Sequence, residues 1–384
     1  MNYFTQEQQA FQQTIRDFFE KEVNPHIDEW EKARIFPAHR VFKRCGELGM
    51  LGVSYDERYG GAGLDYWWTA AYCEAMSSSC LCNGIPMAIM VQTDMCTPAL
   101  HDFGNEELKE RWLAPSIAGD AVGAIGVSEP NAGSDVFSIQ TTARRDGDFY
   151  VINGRKIFIT NGTQADYVTT LVKTDPDKGH HGFTLIVVPT DTPGFSVANK
   201  LEKVGNHCSD TAELLFEDVR VPVANRIGEE GLGFIYQMQQ FQKERMVAAI
   251  GATASAQTAL NKTIQYTKER RVFGKPLALK QHVQFTFAEL QSEIEMLRQL
   301  NYHCVRMIVA KQDSTRETSM AKLLAGRLVR KVADWCIQFH GGYGYMDEYY
   351  ISRYWRDSRL LSIGGGADEV MLQIIAKIEG YGNV

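Results

Sequence analysis

The 384-residue sequence has no long hydrophobic run, no excess of basic charge and no CxxC pair, and each absence excludes a class of protein. Its longest apolar stretches, such as 182–188, are too short to cross a membrane as a helix. Lysine and arginine total 40 against 47 aspartates and glutamates, which argues against a general nucleic-acid-binding protein. The eight cysteines lack metal-site spacing and indicate free thiols in a reducing compartment.

Two further absences concern metal and targeting. Cys336 and His340 lie four residues apart on a predicted helix, but two ligands do not make a zinc site, so we expect no bound metal. The first residues, Met1-Asn-Tyr-Phe-Thr, have neither the order of a signal peptide nor an arginine-rich transit composition. We therefore expect a bacterial cytoplasmic protein or, for a processed chain, one of the mitochondrial matrix.

The spacing of apolar residues changes twice along the chain. Helical periodicity follows a capping box at Thr5 and Gln8 in the first segment. Five prolines and two-residue alternation mark the middle segment, and three- and four-residue spacing returns after Pro222. The predicted fold class is α+β and multi-domain, with an N-terminal α-helical domain (1–118), a middle β-barrel domain (119–223), for which the spacing alone also allows a sandwich, and a C-terminal α-helical bundle domain (224–384).

A hairpin turn is predicted within the middle segment. Two apolar stretches, 149–152 and 156–159, flank Asn153 and Gly154. An Asn-Gly pair tolerates the positive φ values of a type I′ turn. We therefore expect the chain to reverse direction at Asn153-Gly154.

Three glycine-rich motifs are candidates for ligand binding. The stretch 125–135 offers the hydroxyls of Ser128 and Ser134, the stretch 338–345 follows a predicted helix, and the stretch 363–369 precedes one, where free N–H groups can hold an anion or a carbonyl oxygen. A polar interdomain loop and a helix C-cap are the alternative interpretations of the first two. None matches GxGxxG after a strand or a P-loop, which disfavours nicotinamide and nucleotide-hydrolysing folds.

Two of these motifs extend into long signatures that resemble the acyl-CoA dehydrogenase family. They cover 126–138 and 338–357, the second including Glu348 and Arg353, and they occur in the expected order. The resemblance implies FAD as cofactor, an acyl-CoA thioester as substrate and electron-transferring flavoprotein as electron acceptor. It also implies a homotetramer built as a dimer of dimers, with no nucleic acid and no membrane span.

The resemblance also implies roles for individual residues. The residues expected to bind FAD within one subunit are Ile125, Val127, Ser128, Gly133, Ser134, Phe158, Ile159, Thr160, Ala367, Asp368 and Glu369. Those expected to reach the FAD of a neighbouring subunit are Arg270, Phe273, Gln281, Gln338, Phe339, His340, Gly341 and Gly342. Those expected to bind the substrate are Ser134, Gln242, Arg245, Gly364, Gly365 and Gly366. The family often has tryptophan at the position of Phe158.

The catalytic base departs from the commonest family pattern. Most members have a glutamate where this chain has Gly365. Glu244 matches the position at which isovaleryl-CoA and long-chain members carry the base on an adjacent helix, and we predict it to be the base. From residue types alone, Glu244 beside Lys243 and Arg245 would be interpreted as a surface ion pair. Asp368 and Glu369 are interpreted as helix N-terminal residues.

The two glycines at 364 and 365 also bear on the substrate. They leave room beside the α- and β-carbons, which favours medium, long or methyl-branched acyl chains and the isovaleryl, long-chain and citronellyl-CoA branch. The stretch 85–94 suggests citronellyl-CoA, and the expected product is the trans-2-enoyl-CoA. The alternatives are an oxygen-using oxidase or monooxygenase of the same fold, and a non-catalytic DNA-binding or assembly relative.

Overall fold

The N-terminal part of the computed structural model, which describes residues 3–382, is helical. The predicted capping box is confirmed, because Thr5 Oγ1 accepts from the Gln8 N–H at 3.3 Å and Gln8 Oε1 accepts from the Thr5 N–H at 2.9 Å. Ile15 and Phe18 of the first helix are buried. The α-helices here are α1 (Gln6–Phe18), α2 (Ile27–Ala33), α3 (Ala38–Glu47), α4 (Tyr66–Ser79), α5 (Gly84–Met90), α6 (Pro98–Phe103), α7 (Glu106–Leu108) and α8 (Ala114–Ala118).

The middle of the chain forms one eight-stranded sheet in the order β6-β7-β3-β2-β4-β5-β8, with β1 parallel to β4. The buried residues of these strands divide between two core clusters, with Val168 and Ile186 in one and Tyr167 and Leu185 in the other, because alternate side chains along a strand point to opposite faces. The strands are β1 (Gly123–Gly126), β2 (Thr142–Asp146), β3 (Phe149–Thr160), β4 (Tyr167–Lys173), β5 (Phe183–Pro189), β6 (Phe195–Lys200), β7 (Thr211–Pro222) and β8 (Arg226–Ile227).

The predicted hairpin turn at Asn153-Gly154 is wrong, because β3 runs straight through both residues. The chain instead reverses at Gly147, whose φ is +61°, between the paired residues Asp146 and Phe149. Asn153 is held in the strand by exchanging two hydrogen bonds with Asp218, of 2.9 and 2.8 Å. Gly154, at φ +150°, lies where the register against β7 shifts, so the Asn-Gly pair marks an irregularity of the strand.

The C-terminal part returns to helices, and the longest of them, α9, carries most of the candidate site. One core cluster contains residues of both helical parts, such as Ile15 and Leu290, so these parts pack on each other. No helix in residues 3–382 is long and apolar enough to cross a bilayer. The elements are α9 (Gly233–Glu269), β9 (Arg271–Val272), β10 (Lys275–Pro276), α10 (Gln281–Val309), α11 (Thr315–His340), α12 (Tyr350–Ser358) and α13 (Asp368–Ile378).

Candidate active site

A buried ion pair anchors the loop that follows β1. The ammonium of Lys156 lies 2.8 Å from Glu129 Oε1 and donates to the Val127 carbonyl at 3.0 Å. Burial lowers the pKa of Lys156 to about 8, although the charge of Glu129 opposes that shift. Neither residue of this pair is among the predicted site residues. It fixes the base of the loop, while Gly133 and Ser134 stay exposed at its tip.

The end of β3 lies beside this loop. The Ile157 N–H donates to the Ser128 carbonyl at 2.9 Å, which joins the two segments. Phe158 has φ +63° where the register of β3 against β7 shifts, between Lys156 and Ile159, and it is 68% exposed. Ile159 is buried in the sheet core, so only its main chain is free for a ligand. Thr160 is half-buried at the strand end.

Glu244 is buried on α9, so the surface ion-pair interpretation is wrong. Its Oε1 accepts from Gln240 Nε2 at 3.1 Å and from Gln237 Nε2 at 3.4 Å. Gln240 is itself fixed, because it accepts from the Ala99 N–H and donates to the Met95 carbonyl. Burial raises the pKa of Glu244 to about 7, against the hydrogen bond from Gln240 and the charge of Arg245. A carboxyl with a pKa near 7 suits a general base.

Several polar atoms of residues 237–245 on α9 are buried without a hydrogen-bond partner in the part of the chain that the structure describes. They are Oε1 of Gln237, Oε1 of Gln242 and Nε of Arg245. Buried polar groups are normally paired, so unpaired ones over about two turns of one helix indicate a place for a polar ligand. Gln242 and Arg245 are two of the predicted substrate residues.

The glycine-rich turn before α13 meets α9 at Arg245. A side chain added at Gly366 would lie 3.6 Å from Arg245 Nε. Lys322 of α11 holds the turn, since its buried ammonium donates to the carbonyls of Leu361, Gly364 and Gly366. Burial lowers the pKa of Lys322 to about 8. Lys322 is not among the predicted site residues, although a lysine inside the apolar run 320–325 is a detectable exception.

The turn itself is open on one side. Gly365 has φ +61° and no atom lies within 4 Å of the Cβ it lacks, while Gly364 would make only ordinary contacts. The turn leads into α13, whose N-cap residue Ala367 supplies no side-chain cap. Asp368 is buried, and its Oδ2 lies 3.5 Å from the guanidinium of Arg330. Glu369 is exposed, so neither carboxyl resembles a base beside the substrate residues.

A second buried carboxyl, Asp94, lies near Glu244 and was not predicted as a site residue. Its Oδ2 accepts from Thr93 Oγ1 at 2.6 Å. Burial raises the pKa of Asp94 to about 6. The charge of Asp94 in turn contributes to the raised pKa of Glu244. A lone acid at the end of the apolar stretch 85–94 was the available sequence signal.

The remaining predicted cofactor residues gather in a groove at the far end of α9. Arg270 lies there with its guanidinium 5.8 Å from the ring of Tyr343. The His340 side chain is already engaged, because it stacks on Tyr266 and its Nδ1 lies 2.8 Å from the Cys336 carbonyl. Phe273 and Gln281 are exposed near the groove. The groove has a volume of about 1130 Å³, and among its lining residues are Arg270, Gln338, Phe339, His340, Gly341 and Gly342.

The candidate residues therefore form two separate groups. The first joins Glu244 of α9 to the glycine turn through Arg245 and Gly366. The second is the groove around Arg270, which is 26 residues from Glu244 along one helix, or roughly 40 Å at 1.5 Å per residue. No cluster of three or more potential metal ligands occurs within residues 3–382.

Comparison with known families decides what this arrangement is. Three family models match in succession, described as the N-terminal domain (5–120), middle domain (124–219) and C-terminal domain (231–379) of acyl-CoA dehydrogenase. The chain belongs to the acyl-CoA dehydrogenase family. It is therefore a flavoprotein oxidoreductase with FAD as cofactor, acting on acyl-CoA.

Individual relatives agree with this assignment. The long-chain specific acyl-CoA dehydrogenase of Sus scrofa is 38% identical over 97% of this chain and 86% of its own length. The acyl-CoA dehydrogenase of Geobacillus kaustophilus is 41% identical over 98% of this chain and 99% of its own, and its structure matches with a TM-score of 0.95. A chain from the structure named "Electron transferring flavoprotein of Acidaminococcus fermentans" is 35% identical over 99% of this chain and 99% of its own, with a TM-score of 0.94.

The residues present fit FAD. Added side chains would meet nothing within 4 Å at Gly133, Gly341, Gly342 or Gly365, so these backbones are open to a ligand. Phe158 offers an exposed aromatic ring beside the open loop after β1. The first turn of α13 has N–H groups without a side-chain cap, which suits a phosphate or a polar ring edge.

Proposed function

We propose that this acyl-CoA dehydrogenase converts an acyl-CoA to the trans-2-enoyl-CoA, with Glu244 as the base that removes the α-proton. The observation that carries the proposal is the buried Glu244 carboxyl, held by Gln237 and followed by Arg245, with unpaired buried polar atoms on both of these neighbours. Its pKa of about 7 keeps a large ionised fraction at neutral pH. Gly365, at the position where most members have the base, offers no alternative group.

The chain's own residues account for both sides of the proton transfer. Gln240 and Gln237 hydrogen-bond Glu244 Oε1 and hold the carboxylate in one orientation. The charge of Arg245 favours the ionised carboxylate before transfer, and burial favours the neutral acid after it. The N–H of Gly365 would polarise the thioester oxygen as negative charge develops there.

FAD would be held by the loop at 125–134 and the end of β3 within one subunit. When bound, it accepts the hydride that leaves the β-carbon. The exposed ring of Phe158 replaces the tryptophan found in many relatives. Its smaller ring would leave the flavin accessible to an electron acceptor. The similarity to a chain from an electron-transferring flavoprotein structure supports such a flavoprotein as the acceptor.

Medium, long or methyl-branched acyl chains, including citronellyl-CoA, are the proposed substrates. The open space at Gly365 and the ordinary contacts at Gly364 support them, because neither position carries a side chain against the acyl group. The similarity to a long-chain specific relative points the same way. A bacterial cytoplasmic or mitochondrial matrix location remains part of this proposal.

The groove around Arg270 supports a homotetramer built from dimers. It lies roughly 40 Å along α9 from Glu244, farther than one FAD would span between them. The apolar side chains of Phe273 and Leu279 are 94% and 62% exposed beside it. Exposed aromatic and aliphatic side chains of this kind indicate a subunit interface. The groove of one subunit would therefore complete the FAD site of the next.

The direct test is anaerobic bleaching of the flavin by straight and branched acyl-CoAs, with Glu244→Gln as the variant. We expect the variant to bind FAD and acyl-CoA normally and to reduce flavin about 10²–10⁴-fold more slowly. Asp368→Asn and Glu369→Gln are the matched controls. A loss below tenfold in Glu244→Gln, or an equal loss in a control, would assign the base to another residue. Rapid reoxidation by oxygen would instead favour the oxidase alternative.

A further inference from the structure

Three buried thiols meet away from the active site, where the N-terminal helices, the sheet and α12 come together. Cys82 Sγ lies 3.1 Å from Cys208 Sγ and 3.8 Å from Cys80 Sγ. All three side chains are at most 2% exposed. Cys82 and Cys208 are 126 residues apart in sequence, so tertiary structure alone brings them into contact.

A single carboxylate clamps the two loops that carry these thiols. Asp357 Oδ2 accepts from the Asn83 N–H at 3.0 Å, and its Oδ1 accepts from the Asn206 N–H at 2.5 Å. Asn83 follows Cys82 directly and Asn206 precedes Cys208 by two residues. The two oxygens of one side chain therefore set the distance between the two loops.

Two further contacts close the junction. The Cys208 N–H donates to Glu31 Oε1 at 2.9 Å, which ties the sheet loop to α2. A Cβ at Gly84 would lie 2.9 Å from Cys208 Sγ, so the close approach of that sulfur to the chain depends on glycine. The thiols are thus held together by contacts from several elements.

The surroundings favour a reactive thiol at Cys82. Burial alone raises the pKa of that thiol, but the hydrogen bonds from Cys208 and Cys80, the Ile85 N–H and the charge of Arg353 outweigh burial and lower it. Arg353 is itself fixed by donating to the Leu81 carbonyl at 3.2 Å. A thiolate is the nucleophilic form of cysteine.

We propose that Cys82 and Cys208 form a peroxide-sensitive thiol pair that closes to a disulfide between the N-terminal helices and the sheet. The Cys82 thiol attacks hydrogen peroxide, gaining one oxygen as a sulfenic acid and releasing one water. The Cys208 thiol then displaces the hydroxyl of that sulfenic acid, forming the S–S bond and releasing a second water. Two thiols are oxidised and one peroxide is reduced in total.

Cys208 is the resolving thiol, and Cys80 is not. Cys208 is the nearer sulfur, and Cys80 is separated from Cys82 by one residue, which confines a disulfide to a small ring. Because the thiols are buried, peroxide reaches them when the surrounding loops open briefly. Oxidation should therefore be slower than that of an exposed thiol.

The experiment titrates the FAD-loaded enzyme with hydrogen peroxide, then denatures it and counts thiols. The wild type, with eight cysteines, is expected to lose two thiols. Its peptide map should contain one disulfide-linked peptide pair that joins Cys82 to Cys208 and separates when dithiothreitol is added. Cys82→Ser and Cys208→Ser should lose this linked peptide, and Cys304→Ser, another buried cysteine, should retain it. Flavin absorbance and far-ultraviolet circular dichroism report whether each variant is folded.

The outcomes separate clearly. A linked Cys82–Cys208 peptide that forms while the flavin spectrum persists supports the pair. A Cys80–Cys82 link, oxidation of Cys304 at the same rate, or cross-linking only after the flavin is lost overturns it. If either serine variant fails to fold, the wild-type peptide map still decides, because it names both partners.

Discussion

At the residue scale, burial gives Glu244 a property that pH makes visible. Its pKa in the folded chain is raised to about 7, above the ordinary 4.5. A carboxyl raised in this way binds more protons in the folded than in the unfolded state between those values. The free energy of unfolding therefore falls as pH rises from about 4.5 to about 7.

We expect Glu244→Gln to remove this loss of stability. At pH 8 the variant should be more stable than the wild type by up to about 3 kcal/mol, and near pH 4.5 the two should be alike. Urea unfolding at both pH values, followed by circular dichroism, measures the difference. Equal midpoints at pH 8 would show that the carboxyl is not held in a poorly solvated position.

Asp94 provides a second prediction at this scale. Its negative charge contributes to the raised pKa of Glu244, so Asp94→Asn should lower that pKa. The rate of flavin reduction should then decline at a lower pH in the variant, which raises the ratio of the rate at pH 6 to that at pH 8. Asp102→Asn is the control, since Asp102 is a partly exposed carboxyl that lies 3.5 Å from Lys243. An unchanged ratio in Asp94→Asn would show that Asp94 does not influence the pKa of the base.

At the element scale, long periodic segments were predictable and local exceptions were not. Apolar spacing predicted helices after Pro222, and α10, α11 and α13 lie there, because each helix buries one continuous face. The hairpin prediction at Asn153-Gly154 was wrong because a side-chain contact with Asp218, from a strand distant in sequence, holds Asn153 in the strand. Lys322 and the Glu129–Lys156 ion pair could not be predicted from local sequence, because their partners are main-chain groups or residues distant in sequence. The domain limits at 118 and 223 stay predictions.

The glycine turn before α13 yields the prediction for this scale. Gly365→Glu should reduce activity, most for substrates branched near C2 or C3, because it fills open space and adds a carboxylate near Glu244. The φ of +61° adds a strain of roughly 1 kcal/mol for any side chain there. Initial rates with an artificial electron acceptor, for matched straight and branched acyl-CoAs, give the measurement.

Combining Gly365→Glu with Glu244→Gly tests whether the base can move. Some straight-chain activity should reappear, far below the wild type, since a displacement of ~1 Å can cost about 10²-fold. Branched substrates should stay poor. Recovery of branched and straight substrates alike would show that the glycines do not shape the acyl pocket.

At the scale of the whole molecule, the groove around Arg270 predicts shared cofactor sites. Arg270→Ala should weaken FAD retention and the assembled state together, because a ligand that bridges subunits stabilises their association. Gel filtration with absorbance at flavin and protein wavelengths measures both. Arg271→Ala, which removes a neighbouring exposed arginine, is the control. A monomeric and fully flavinated Arg270→Ala protein would contradict the shared site.

The length of α9 has a genetic consequence. One end carries Glu244 and the other adjoins Arg270, so each dimeric pair would own two composite sites, each built from opposite ends of two copies. A Glu244→Gln chain paired with an Arg270→Ala chain then puts both lesions into one site and leaves the other intact. Co-expression of the two impaired alleles should restore up to about one quarter of wild-type activity from whole sites, since half of random pairs are mixed and half of their sites are whole.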